Sequence, residues 1–175
     1  MALFYPVQKI MFQESVTILA INPGTKYVGI AIFQTSDLVY WGIRVLKGKW
    51  SQEKMRNIET ALQNHINKYH VNLLVLKKLH SSRSSKNLNY LVKSIERLAT
   101  KKGIELSFYS LNDVKKFLAV GMKTNKMGIA GIVTARYPFL IHELEKEKKH
   151  KHPYFVRMFE AIAAGIVTFT YLDHK

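Results

Sequence analysis

Residues 16–32 read VTILAINPGTKYVGIAI, and no other stretch constrains the fold as strongly. An apolar, β-branched run, Ser15–Asn22, enters a Pro23-Gly24-Thr25 turn. A second apolar run, Tyr27–Gln34, leaves it. Valine and isoleucine suit a pleated strand, and Pro-Gly supplies the reversal. A third run, Leu38–Leu46, follows the polar Thr35-Ser36-Asp37 and carries Val39, Tyr40, Trp41, Ile43 and Val45. The three predict an antiparallel meander.

Lys47-Gly48-Lys49 breaks the chain. Ser51 is placed to cap a helix with Glu53 in its first turn, and Met55, Ile58, Leu62 and Ile66 recur at helical spacing to about Tyr69. Asn72–Lys77 reads as a short buried strand, followed by a polar loop, His80–Lys86. Leu88–Thr100 reads as a helix with Leu91, Ile95 and Leu98 on one face, ended by Lys101-Lys102-Gly103. Ile104–Tyr109 alternates like a strand. Asn112 or Asp113 is placed to cap a short helix through Leu118. Gly121–Asn125 is a basic loop. Lys126–Tyr137 is helical and Pro138 limits it. His142–His152 is charge-dense and is expected as a solvated helix end or loop. His150 and His152, set among lysines, make a weak metal site. Pro153 opens a last helix, Tyr154–Tyr171, with Phe155, Phe159, Ile162, Ile166 and Phe169 along one face. This order implies the α/β class, with a mixed five-stranded sheet flanked by helices. One domain is expected over residues 16–175, with residues 1–15 as an N-terminal extension.

The chain has 175 residues, of which 27 are Lys or Arg and 12 are Asp or Glu, a formal charge of +15. Such an excess favours a polyanion, bound with counterion release. No cysteine is present, which excludes disulfides and Cys-based zinc sites. No apolar run reaches membrane-spanning length, and no signal-peptide pattern opens the chain. The expectation is an intracellular protein that partners nucleic acid and not a membrane.

With these motifs the chain resembles the RuvC-type Holliday junction resolvases of the ribonuclease H-like superfamily. That family opens with a strand ending Asp-Pro-Gly-Thr and a glycine a few residues on. Here the stretch is Asn22-Pro23-Gly24-Thr25, with Gly29. The family's middle strand ends in Glu; here Leu73–Leu76 ends in Lys77. A Val-Lys pair and a later lysine match Val114-Lys115 and Lys126. The closing Asp, two residues, then Asp-Ala-Leu-Ala becomes Arg157, two residues, then Glu160-Ala161-Ile162-Ala163. The resemblance implies four metal-binding acids at Asn22, Lys77, Arg157 and Glu160, and only Glu160 is still acidic.

Two-metal phosphodiester hydrolysis needs carboxylates to hold its cations. With Lys77 and Arg157 at acid positions, no catalytic residue, metal site or cofactor is expected. Mg2+ or Mn2+ enters only if the enzyme is active. Lys77 and Arg157 can each pair with Glu160, Arg157 from three residues away on the same helix. The expected nucleic-acid contacts are Lys77, Lys78, His80, Arg83 and Lys86 after the central strand, with Lys115, Lys116, Lys123 and Lys126 near the second basic segment. Contacts of this kind read backbone and shape. The resemblance also implies a homodimer, with the helix from Leu88 to Leu98 at the family's dimer contact, although Leu91, Ile95 and Leu98 suit a core equally.

Three functions follow. The first is a catalytically inactive binder of branched or duplex DNA. The second is an active Holliday junction endonuclease with rearranged ligands, drawn from Glu160, Asp113, Glu143, Glu145 or the histidines. The third is a structural subunit of a nucleoprotein or RNA complex with a protein partner.

Overall fold

The computed structural model describes residues 15–150 and 153–174. Its strands are β1 (Thr17–Asn22), β2 (Tyr27–Gln34), β3 (Asp37–Val45), β4 (Leu73–Lys77) and β5 (Glu105–Tyr109). Its helices are α1 (Gln52–Tyr69), α2 (Lys86–Lys102), α3 (Leu111–Leu118), α4 (Lys126–Arg136), α5 (Ile141–Lys149) and α6 (Val156–Asp173). The strands form one five-stranded sheet in the order β3-β2-β1-β4-β5. β1, β2 and β3 are antiparallel neighbours, whereas β4 runs parallel to both β1 and β5. The expected mixed α/β sheet is therefore present. The C-terminal ends of β1, β4 and β5 leave it at one common edge.

Each face of the sheet has its own core. Leu19, Ile21, Leu74 and Leu76 pack on Ile58 and Leu62 of α1 and on Leu91 and Ile95 of α2. Ile18, Ala20, Leu73, Val75 and Tyr109 pack on the other side with Phe159, Ile162 and Ile166 of α6. Alternate strand residues point to opposite faces. Asn22 lies two residues beyond Ala20 and Lys77 two beyond Val75, so both belong to the α6 face.

α6 is the centre of that face. Every residue from Met158 to Phe169 is buried, the pattern of a helix with protein on all sides. Glycines let it come close. A Cβ on Gly29 of β2 would stand 2.2 Å from the Arg157 carbonyl oxygen, and one on Gly165 would meet the Phe33 ring at 2.1 Å.

Several local expectations change. α3 is capped by Ser110 instead of Asn112 or Asp113. Ser110 Oγ accepts from Asp113 N at 3.2 Å and Asp113 Oδ2 accepts from Ser110 N at 3.2 Å, a reciprocal capping box. Ser85 caps α2, so the helix starts at Lys86 inside the expected loop. The charge-dense run is mostly helix α5, and it is not wholly solvated because Leu144 and Glu147 are buried. Leu91 and Ile95 are both fully buried within the chain, so those two expected dimer-contact residues belong to the core. Residues 1–14 and His152 lie outside the described residues. Among the described residues no helix is long and apolar enough to cross a membrane.

Candidate functional site

Glu160 is the focus of the sheet edge. It is 1% exposed, and its carboxylate receives three groups from three elements. Asn22 Nδ2, at the end of β1, donates to Oε2 at 2.7 Å. Lys77 Nζ, at the end of β4, donates to the same oxygen at 2.5 Å. Lys126 Nζ, from the first turn of α4, stands 3.2 Å from Oε1. That approach is ionic without hydrogen-bond geometry, so Oε1 accepts no hydrogen bond, and Asn22 Oδ1 is likewise buried and unpartnered.

The sheet explains the convergence. β1 and β4 are parallel and in register, with Ile21 opposite Leu76, so Asn22 and Lys77 emerge side by side. Lys77 also lies opposite Tyr109 in β5. Tyr109 is 1% exposed, and its hydroxyl donates weakly to the Ile21 carbonyl at 3.5 Å. Nothing in the sequence analysis singled it out. The available signal was its place as the last residue of β5, two positions after Ser107 on the same face.

Arg157 does not pair with Glu160. Its guanidinium turns to the β1–β2 turn and donates to the Pro23 carbonyl at 3.1 Å. Gly24 leaves room for it, since a Cβ there would sit 2.8 Å from the guanidinium carbon. The Arg157 carbonyl accepts from Asn22 Nδ2 at 3.4 Å. Arg157 and Glu160 are near neighbours on α6, but Arg157 faces the turn while Glu160 faces β1 and β4.

The electrostatics follow from burial. Desolvation pulls the Lys77 pKa below the ordinary lysine value, the Glu160 carboxylate pushes it back up, and Lys126 and Arg157 pull it down again. Burial raises the Tyr109 phenol well above its usual value, with the Glu160 charge adding to the rise. Burying a carboxylate is costly unless it is paired and hydrogen-bonded, and Lys77 and Asn22 supply both contacts.

Such a donor set does not fit a pair of divalent cations. One carboxylate is present, and an ammonium already holds one of its oxygens. A cation introduced beside Lys77 and Lys126 is repelled by about 4 kcal/mol per unit charge at contact distance and an effective dielectric near 20. Among the described residues no three His, Cys, Asp or Glu side chains form a metal-holding group. Among the described residues Asp113, Glu143 and Glu145 form no group of three with Glu160. Asp113 is tied to Ser110.

Of the expected nucleic-acid contacts, the structure brings Lys77 and Lys126 onto Glu160. Lys78 is exposed just beyond β4, and its backbone N–H donates to the Tyr109 carbonyl at 2.7 Å. His80 and Arg83 are exposed in the following loop, where His80 Nδ1 and Ser82 Oγ are 2.7 Å apart. Lys86 opens α2 and reaches over the Tyr90 ring. Lys115 is half-buried on α3, while Lys116 and Lys123 are exposed. All of these follow the C-terminal ends of β4 or β5, the side of a parallel α/β sheet where ligands bind.

A mixed sheet in this order, with a buried acid presented by its last helix between the ends of β1 and β4, defines a ribonuclease H-like protein of the resolvase type. The model of the crossover junction endodeoxyribonuclease RuvC family matches residues 18–150, and the chain belongs to that family. The match ends before α6. Solved structures agree in fold. The RuvC of Thermus thermophilus in complex with Holliday junction substrate superposes with a TM-score of 0.69 at 14% identity, over 90% of this chain and 96% of that one. The yeast mitochondrial Holliday junction resolvase gives 0.61 at 14% identity, over 94% and 83%. The fowlpox virus resolvase with its Holliday junction DNA gives 0.56 at 12% identity, over 90% and 99%. No curated protein sequence matches the chain.

Proposed function

We propose that this protein is a RuvC-like DNA-binding protein without two-metal nuclease chemistry, which recognises branched or duplex DNA by backbone and shape. One observation carries the reading: Lys77 Nζ sits 2.5 Å from Glu160, where the resemblance places carboxylates around cations. In this reading Asn22, Lys77 and Arg157 replace three family acids, and no catalytic residue or metal cofactor remains. The formal charge of +15 and the resolvase neighbours support a DNA partner.

Lys78, His80, Arg83 and Lys86 form one arm of the proposed interface, and Lys115, Lys116, Lys123 and Lys126 the other. Lys77 lies between them and is both a structural cation and a phosphate contact. The protein acts inside the cell as a homodimer that spans two arms of a junction. Because Leu91 and Ile95 are core, the dimer contact on α2 uses its outer residues around Tyr90, which is 53% exposed.

The test is a labelled four-way junction beside matched duplex, with Mg2+ and then Mn2+, split between native and denaturing gels. A junction-selective shift with intact strands, weakening steeply with salt, is the expected result. Metal-dependent nicking that disappears in Glu160→Gln would overturn the inactive reading.

A further inference from the structure

A groove of about 400 Å³ opens between β3 and α1. Tyr40, which lines it, packs with the α1 core, so the groove lies on the face of the sheet opposite α6 and Glu160. β3 supplies Tyr40 and Arg44, and α1 supplies Asn57, Thr60, Asn64, His65 and Lys68. Asn57, Thr60, Asn64 and Lys68 follow one another at helical spacing, a polar stripe beside the buried Ile58, Leu62 and Ile66. Gly42 lies between Tyr40 and Arg44 on the same face of β3. A Cβ there would stand 3.4 Å from Tyr40 Oη, so the tyrosine lies along the strand and the missing side chain keeps the groove floor low.

Three observations say what the groove takes. The first is charge. Arg44 and Lys68 are exposed, and no carboxylate lines the groove. The ion pairs among the described residues, Lys77 and Lys126 on Glu160, involve neither of them. Burial, then the charges of Lys68 and Arg44, hold the His65 pKa below the ordinary histidine value, so the two cations act on one ring. An anion beside that ring is favoured. The second is the pair of half-buried rings. Tyr40 and His65 have centroids 4.4 Å apart with planes inclined at 49°, and a nucleobase reaches them only when it is unpaired. The third is direction. From Asn57 to Lys68 the helix runs about 16 Å, room for a few nucleotides. Ile43 lies across Gly29 from Asn22, so the Arg44 end of the groove opens at the sheet edge that carries Asn22.

We propose that this groove holds a single nucleic-acid strand, with phosphates on Arg44 and Lys68 and an unpaired base against Tyr40 and His65. Single-strand sites combine a basic groove that tracks the backbone with aromatic faces for the bases, and this groove has both. The amides of Asn57 and Asn64 and the Thr60 hydroxyl lie along the path as donors to phosphate or base. An acidic peptide would meet the cations but leave the rings without planar partners. The inference rests on the nucleic-acid part of the reading above and adds a second surface, on which a strand freed from pairing leaves the sheet edge.

The experiment uses the full chain with a short fluorescein-labelled oligothymidylate, read by anisotropy, beside a fully paired four-way junction. Arg44→Gln with Lys68→Gln weakens strand binding about tenfold and lowers the slope of log affinity against log salt by about 1.4, with junction affinity unchanged. Arg44→Lys with Lys68→Arg keeps the charges and the strand. Crosslinks from an iodouracil-substituted strand, mapped by mass spectrometry, fall on Tyr40 or His65. Unchanged strand affinity in the glutamine variant overturns the groove, as does an equal loss with the junction, or crosslinks confined to the loop after β4. Competition by oligoglutamate as strong as by unlabelled oligothymidylate assigns the groove to acidic peptide and overturns the strand. A strand that binds and crosslinks at Tyr40 while the junction does not shift keeps the groove and overturns the branched-DNA reading. No binding of strand or junction overturns both.

Discussion

Lys77 and Glu160 are 83 residues apart in sequence, and their charged groups meet at 2.5 Å. Lys77 ends a strand at the sheet edge, and Glu160 lies in the first turns of a helix buried on every side. Their pairing ties β4 to α6, and Asn22 ties β1 to the same carboxylate.

Lys77→Ala removes the cation that holds Glu160 Oε2 and leaves the buried carboxylate with Asn22 and with Lys126 at its other oxygen. Loss of one partner of a buried pair costs about 3 kcal/mol. At this chain length the melting temperature falls by roughly 6–12 °C. Thermal unfolding of the variant beside the natural protein measures it. The double variant Lys77→Met, Glu160→Leu recovers most of the loss, and a double variant no more stable than Lys77→Ala would show that the pair is not the source.

The same lysine gives a pH signature. Burial holds its folded pKa below the ordinary lysine value. Between those two values the folded state binds fewer protons at this site than the unfolded state. Stability from this site therefore rises with pH across that window. Unfolding free energies of the natural protein and Lys77→Met, measured from neutral pH upward, diverge in favour of the natural protein as the window is crossed. Parallel curves would exclude the effect.

Glu147 predicts a different loss. Its carboxylate accepts from Tyr154 N at 3.0 Å and Phe155 N at 2.6 Å, at the start of a helix that has no side-chain cap of its own. Glu147→Ala strands these N–H groups and costs about 2 kcal/mol. Glu147→Gln keeps an acceptor and costs less. Denaturant unfolding of both variants tests the order, and equal losses would locate the effect in packing alone.

Gly29→Ala places a Cβ 2.2 Å from the Arg157 carbonyl oxygen. Backbone on both sides cannot yield as a side-chain end would. The expected loss is about 3 kcal/mol, read as poor soluble yield or a lowered denaturation midpoint. Gly131→Ala, inside α4 where a Cβ meets nothing within 4 Å, is the control and gains about 0.5–1 kcal/mol.

The sheet was legible in the sequence because its signals are local. The Pro23-Gly24 turn, the apolar runs and the Ser51 cap each act within a few residues. Glu160 and Lys77 were legible as partners because the resemblance set their positions side by side. Arg157 was misplaced, since spacing on a helix says which residues are neighbours and not which way a long side chain turns. Its direction depends on Gly24 and the Pro23 carbonyl, 134 residues away by the hydrogen bond they share. Glu147 was read as solvated for the same reason. The two N–H groups that hold it lie beyond the charged run, and composition carries no trace of them. Ser110 does carry a local signal, because Ser-x-x-Asp ahead of an apolar run is itself a cap signature.

The Lys77 ammonium also changes who decides the state of this site. In a protein that borrows metal ions, the occupant of an acidic seat comes from the surrounding solution and can be exchanged or extracted. Under the proposed function it is made on the ribosome with the rest of the chain, so the seat is filled once per molecule and altered by a codon.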